Sequence, residues 1–407
     1  MLQLYAQNEF DWRKQSLVFS PELQVGKTMK AYYGFPRTSL QKQIVFGIGR
    51  DHAYNPQEWA YRINGPKTGF SLGLTDFGNK DALGLALTAM PIIEFQVFKS
   101  EKFTVLSGLG MSYFTEKYHP EKNLQNKAIT TDLCWAFKMI LNYKFYDSGN
   151  IDWRAGLGYS HHSNGHTKLM NNGFNSFLLS TSADIRTSSK VVEVEKPYFR
   201  YEKTTYEYFN FRFGLGQNVL ATTFNKRKDV YSVSGEYGHV YNNTFKIGMG
   251  IYYRFYEHYY NYIQNNESLT QPGWEFEPYH NNPWHYATSL GLSINGEVLL
   301  NHVGIEVQVG YNLYKLSYKI EWRINNRWEN TPQEIPEKWK LGELDSYFKW
   351  KYRISSKLGI KYYLIGLENK PQNNFYIGAN LNANLGQADF TELSLGYVHS
   401  FNFKKSE

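Results

Sequence analysis

Long runs of strict two-residue alternation, more than any motif, decide what this chain can fold into. In an extended strand successive side chains point to opposite faces. In the last such run Leu393, Leu395, Tyr397, His399, Phe401 and Phe403 share one face, while Glu392, Ser394, Gly396, Val398, Ser400 and Asn402 share the other. Val303 to Leu313, Phe245 to Phe255, Ile129 to Phe145 and Phe348 to Leu364 read the same way. A soluble sandwich also alternates, but its strands are usually about 5–6 residues long, and most runs here are far longer. The second face carries Lys, Arg, Glu, Asn and Gly, as a wet interior requires. Aromatic residues gather near the run ends, as interfacial girdles do.

Composition agrees. The chain holds 34 Tyr, 27 Phe and 10 Trp but only 13 Pro, which favours strands over helices. No apolar run reaches the roughly 18 residues of a membrane helix, so a spanning form must be a closed barrel. Sixteen runs stand out: 17–29, 42–50, 68–77, 82–98, 102–115, 128–145, 151–163, 174–186, 204–217, 229–240, 243–256, 284–297, 301–315, 346–365, 373–386 and 389–403. The run 42–50 is the weakest, and fourteen strands is the fallback. The expectation is therefore an all-β fold: a transmembrane antiparallel up-and-down barrel of about sixteen strands, forming a single domain over residues 1–407.

The last run ends in Phe403 with a short polar tail, which resembles the sorting signal of bacterial outer-membrane proteins. It implies a Gram-negative outer membrane and insertion by the outer-membrane assembly machinery. Met1 to Ala6, followed by Gln7, reads as the tail of a secretory signal peptide, removed or truncated, with an ordinary disordered start as the alternative. The stretches 51–67, 116–127, 187–203, 257–283 and 316–345 are polar, rich in Tyr and Trp, and read as the longer, extracellular connections. Tyr252, Tyr253, Phe255, Tyr256, Tyr259, Tyr260 and Tyr262 read as a girdle and loop anchor, with a protein-contact surface as the alternative.

A single cysteine, Cys134, excludes an intrachain disulfide. The net charge of +7 is spread along the chain without a compact basic stripe, so no nucleic-acid partner is expected. His52, His119, His239 and His302 lack metal-ligand spacing, and neither metal nor cofactor is expected.

One segment breaks the rule that the apolar face stays apolar. In 151–163, Trp153, Ala155, Leu157 and Tyr159 point outward, and the same parity carries His161 and Ser163. In the next run Phe177, Leu179, Ala183 and Ile185 point outward, and Asn175 shares their parity. Polar groups facing hydrocarbon are costly unless paired. A histidine can take the proton of a serine two residues away on the same strand face, and an asparagine can hold the imidazole in the required tautomer. A nucleophile on the outside of a barrel has the ester bonds of a membrane lipid as its natural substrate. At a strand end, His and Ser also occur simply as headgroup-level or loop residues.

At these residues the sequence resembles the lipid A 3-O-deacylase (acyloxyacyl hydrolase-like) family of outer-membrane enzymes. His161-His162-Ser163-Asn164-Gly165-His166, followed by Asn171-Asn172-Gly173-Phe174-Asn175, resembles its His-x-Ser-Asn block and following Asn-x-Gly turn. Trp59, Gly65-Pro66, Gly69, Gly84, Asn123, Asn126, Ala128 and Ile129 resemble the extended form found in Bacteroidetes-type bacteria. The resemblance covers about 40–187, with further barrel strands over 204–403. It implies Ser163 as nucleophile, His161 as general base, and an oxyanion hole from Asn164 with a backbone N–H near Gly165 or His166. The implied reaction is metal-free hydrolysis of an acyl ester of lipid A in lipopolysaccharide. Family members of known activity carry an acidic residue where this chain has Asn175. An asparagine orients the histidine but does not stabilise its positive charge as a carboxylate does. Compact members have about eight strands, and the additional strands here would widen the barrel until an aqueous lumen becomes possible.

Two other readings compete with the esterase. One is a porin or transporter with a vestigial His-Ser block. The other is a non-catalytic subunit of an envelope assembly complex that offers its Tyr-rich loops to protein partners.

Overall fold

The computed structural model describes residues 13, 16–98, 100–187, 201–325 and 345–406. The expected signal remnant at Met1 to Gln7 lies outside them, as do most of the 187–203 stretch and part of 316–345. All sixteen expected strands are present, every pair is antiparallel, and the order is up-and-down. The weakest run, 42–50, is a full strand.

The closure differs from the expectation. The strands make two closed barrels of eight, not one wide sheet. The first contains β1 Leu17–Thr28, β2 Gln41–Asp51, β3 Lys67–Asp76, β4 Leu85–Val97, β5 Ser100–Phe114, β6 Leu133–Asp147, β7 Ile151–Ser163 and β8 Phe174–Arg186. The second contains β9 Lys203–Asn218, β10 Lys228–Tyr241, β11 Phe245–Tyr256, β12 Thr288–Leu300, β13 Val303–Lys315, β14 Ile354–Tyr363, β15 Asn373–Asn384 and β16 Gln387–Ser406. β8 closes on β1, with Val18 opposite Arg186 and Thr28 opposite Ser176. β16 closes on β9, with Leu393 opposite Leu215. The expected single barrel over 1–407 is corrected by these two closing ladders. Alternation is the same in either closure, because in an up-and-down order only the closing pair joins strands distant in sequence.

By contacts the chain divides into two units. One takes the chain up to Ser163 together with the strand that follows Asn172. The other takes Asn164–Asn171 together with the chain from Tyr201 onward.

The inward faces show why eight strands suffice. A barrel of that size is just wide enough for side chains to fill it, and these faces carry complementary charges. In the first barrel Arg154 binds Glu94 at 2.7 Å and Asp184 at 2.9 Å, while Lys67 reaches the same two carboxylates at 2.6 and 2.8 Å. In the second, Lys361 bridges Glu297 and Glu306 at 2.9 Å each, Lys357 binds Glu306 at 2.6 Å, and Arg212 meets Glu392 at 3.2 Å. Outward residues are apolar and exposed, among them Leu157, Phe177, Met249, Ile294, Val309 and Leu393. That is the pattern of a lipid-facing wall around a filled bore.

In the first barrel the connections 52–66 and 115–132 lie at opposite ends, so the stretches 51–67 and 116–127, both expected to be extracellular, do not share a side; in the second barrel the long connections after β11 and β13 lie at one end. The second barrel is capped there by the helices Glu257–Gln264 and Tyr318–Asn325. Tyr256, Tyr259, Tyr262, Ile263, Ile320 and Phe390 form part of the cap's apolar core. The Tyr252–Tyr262 run thus serves internal packing at five positions: Tyr252, Phe255, Tyr256, Tyr259 and Tyr262 are buried. Residues 346–353, expected to begin a strand, belong to the helix Asp345–Arg353 instead. Its alternating aromatics satisfy a period of two, but they precede the point where β14 pairs with β13 at Tyr311–Ile354.

Candidate active site

β7 and β8 pair so that His161 stands directly opposite Asn175 and Tyr159 opposite Phe177. Their outward parity is unambiguous. Trp153 and Leu157 on β7, and Phe177, Leu179 and Ile185 on β8, are all exposed. His161, Ser163 and Asn175 continue that parity at the strand ends joined by residues 164–173. Ser163 nevertheless is only 4% exposed, and it stands opposite Trp135 in the β6–β7 ladder.

Asn175 organises the cluster. Its Oδ1 lies 2.7 Å from His161 Nδ1 and 2.6 Å from the Tyr159 hydroxyl. An amide oxygen only accepts, so His161 Nδ1 carries the proton and Nε2 keeps its lone pair. A neutral imidazole in that tautomer is ready to take a hydroxyl proton. Gly173 stands behind the ring. A β-carbon there would lie 3.0 Å from His161 Cε1, and its φ of +72° is left-handed. The Asn172–Gly173 turn is fixed by backbone bonds from Asn172 N to Lys127 O and from Gly173 N to Ala128 O, at 3.2 and 2.8 Å.

Three aromatic residues, Phe77, Phe114 and Phe174, brace the strand ends from inside the first barrel. Phe77 stacks on Phe174 at 4.5 Å between centroids, Phe114 lies parallel to both, and the His162 ring meets Phe77 and Phe114 edge-on. Their signal was present in the sequence as apolar side chains on a nominally wet face. His162 therefore serves packing, one residue away from the proposed base. The upstream residues of the family pattern are structural as well. Trp59 is buried edge-on to His52, Asn123 binds Ala82 O at 2.9 Å, and Gly84 has a φ of +68°.

The three residues after Ser163 are committed to their own loop in the second unit. Asn164 donates its backbone N–H to Asn171 Oδ1 at 2.9 Å and its side-chain amide to Lys168 O at 2.6 Å. Gly165 O accepts from Thr391 at 3.4 Å. His166 O accepts from Val219 N at 3.1 Å, and the His166 side chain is buried. Asn225 holds the loop by a reciprocal pair with Leu169, at 2.8 and 2.5 Å.

Residues 3–183 match the family model described as lipid A 3-O-deacylase (PagL). That match spans β1 to β7 and most of β8 of the first barrel. Among solved structures, the outer membrane enzyme PagL aligns with 40% of this chain and 97% of its own, at 18% identity and a TM-score of 0.30. CdiB from Acinetobacter baumannii aligns with 95% of this chain and 60% of its own at 8% identity, TM-score 0.17. The outer membrane protein opdK from Pseudomonas aeruginosa aligns with 95% and 99% at 8% identity, TM-score 0.22. No curated protein matches. The first barrel is thus similar to the lipid A 3-O-deacylase family over residues 3–183, which is less than half of the chain.

Proposed function

We propose that the protein is an outer-membrane esterase that removes an ester-linked acyl chain from lipid A or a closely related membrane lipid. The observation that carries this reading is the 2.7 Å contact between His161 Nδ1 and Asn175 Oδ1 on the lipid-facing wall, with Ser163 two residues on along the same face. His161 Nε2 takes the Ser163 proton as the hydroxyl oxygen attacks the ester carbonyl. The protonated imidazole then gives its proton to the departing sugar alkoxide. Water, activated by the same histidine, releases the fatty acid from the acyl-enzyme. Asn175 orients the base without neutralising it, so the imidazolium is less stabilised than it would be beside a carboxylate.

The oxyanion donors in this reading come from Asn164, Gly165 and His166. For the Asn164 backbone N–H to take part, it must leave Asn171 Oδ1. The porin reading finds less support, because both bores are filled by ion pairs.

Mass spectrometry of lipid A from cells with and without the protein tests the reading. Loss of one ester-linked chain is expected with the native protein, and none with Ser163→Ala or His161→Ala at equal folded abundance. Unchanged acylation under all conditions overturns it.

A further inference from the structure

We propose that Tyr159 is a positioning residue that sets the tautomer of His161 by fixing which end of the Asn175 amide faces the ring. The inference rests on the esterase reading for its catalytic meaning, but its physical content can be tested separately.

A carboxylate beside a histidine has two equivalent ends, and either accepts from Nδ1–H. An amide has one acceptor end and one donor end. With the oxygen toward the ring, Nδ1 carries the proton and Nε2 is free to act as a base. With the amide turned, its N–H donates to Nδ1, the ring proton moves to Nε2, and the histidine can no longer take the serine proton. An asparagine in this position therefore needs a third group to choose its orientation. Tyr159 is placed to do so. Its hydroxyl lies 2.6 Å from Asn175 Oδ1, the atom that also receives His161 Nδ1 at 2.7 Å. A phenol donates more readily than it accepts, so its preferred partner is the oxygen. Register explains the reach: Tyr159 and His161 share one face of β7, and Asn175 stands opposite His161 on β8.

The second barrel contains the same unit without a nucleophile. Tyr397 donates to Asn373 Oδ1 at 2.6 Å, and His399 Nδ1 lies 2.9 Å from that oxygen. His399 stands directly opposite Asn373, and the position two residues on is Phe401. The Tyr-x-His strand with a facing asparagine thus forms as a self-contained hydrogen-bonded unit. What the first barrel adds to it is Ser163.

The full-length protein in detergent micelles, labelled with 15N-histidine, provides the test. Two-bond 15N–1H correlations distinguish the two tautomers of each ring. In the native protein His161 is expected as Nδ1–H. In Tyr159→Phe an Nε2–H population should appear, and hydrolysis of lipid A in mixed micelles should fall about tenfold in kcat with KM little changed. In the Asn175→Asp background the same Tyr159→Phe change should cost little, because a carboxylate has no wrong end. Tyr397→Phe should move the His399 tautomer and leave hydrolysis untouched. If Tyr159→Phe leaves His161 entirely Nδ1–H, or costs the same in both backgrounds, the proposal is overturned. If the tautomer shifts as expected in a protein that hydrolyses no lipid, the positioning role stands and the esterase reading fails.

Discussion

Gly173 lies directly behind the imidazole of His161, with its missing β-carbon aimed 3.0 Å from Cε1. Gly173→Ala should therefore push the ring away from Asn175, and it also places a β-carbon at a left-handed φ, which costs roughly 1–2 kcal/mol. Deacylation should fall by at least about tenfold, while the barrel should still fold and resist denaturation on unheated gels. Native activity in Gly173→Ala would show that the ring position is not set here.

The charge network of the first bore makes a second prediction. Arg154 is buried against Glu94 and Asp184. Removing one member of such a cluster leaves uncompensated charge and costs about 3–5 kcal/mol. Arg154→Met should lower the urea midpoint of the folded barrel markedly. Lys117→Met, which breaks an exposed pair with Asp132, should move it by less than about 1 kcal/mol. Equal shifts in the two variants would contradict the burial argument.

Planar bilayers address the channel reading. With Lys67, Glu94, Arg154 and Asp184 across one bore and Glu297, Glu306, Lys357 and Lys361 across the other, purified protein should give no stepwise conductance above the lipid background. Steady, reproducible steps would restore the porin reading.

A pH dependence follows from His258 in the cap of the second barrel. Its Nδ1 meets Asn218 Oδ1 at 2.7 Å, and its charged surroundings are His166, Asp389, Lys315 and Glu257. Burial first, and His166 second, lower it from 6.5 to about 3. The unfolded chain thus binds a proton below about 6.5 that the folded cap refuses until about 3. Stability is complete above 6.5 and declines as pH falls through that window, by about 1.4 kcal/mol per unit from this group. Unfolding midpoints at pH 7.5, 5.5 and 4.5 should fall less steeply in His258→Gln than in the native protein. Parallel slopes would show that this histidine does not titrate differently on folding.

The strands were legible because alternation is local. β7 and β8 fall at the residues read from parity, 151–163 and 174–186, and Trp153, Leu157, Phe177 and Leu179 lie on the face assigned to them. The closure was not legible, since pairing Val18 with Arg186 is a non-local choice that leaves no trace in period. A clue lay in the inward residues: Glu94, Arg154, Lys67 and Asp184 balance one another, as a packed interior demands and a water-filled channel does not. Within the candidate site, parity brought His161, Ser163 and Asn175 to one face. It could not show that Tyr159 shares the Asn175 oxygen, because that depends on side-chain reach across the ladder. The engagement of Asn164 with Asn171 was hidden for the same reason, as it arises from a loop that doubles back on itself.

Closing the sheet at eight strands twice, instead of once at sixteen, has a cost-free benefit for the cell envelope. A wall of sixteen strands in one ring would open a route for small solutes whenever its contents shifted. Two narrow cylinders, each crossed by its own ion pairs, leave less open bore than a single ring of sixteen strands.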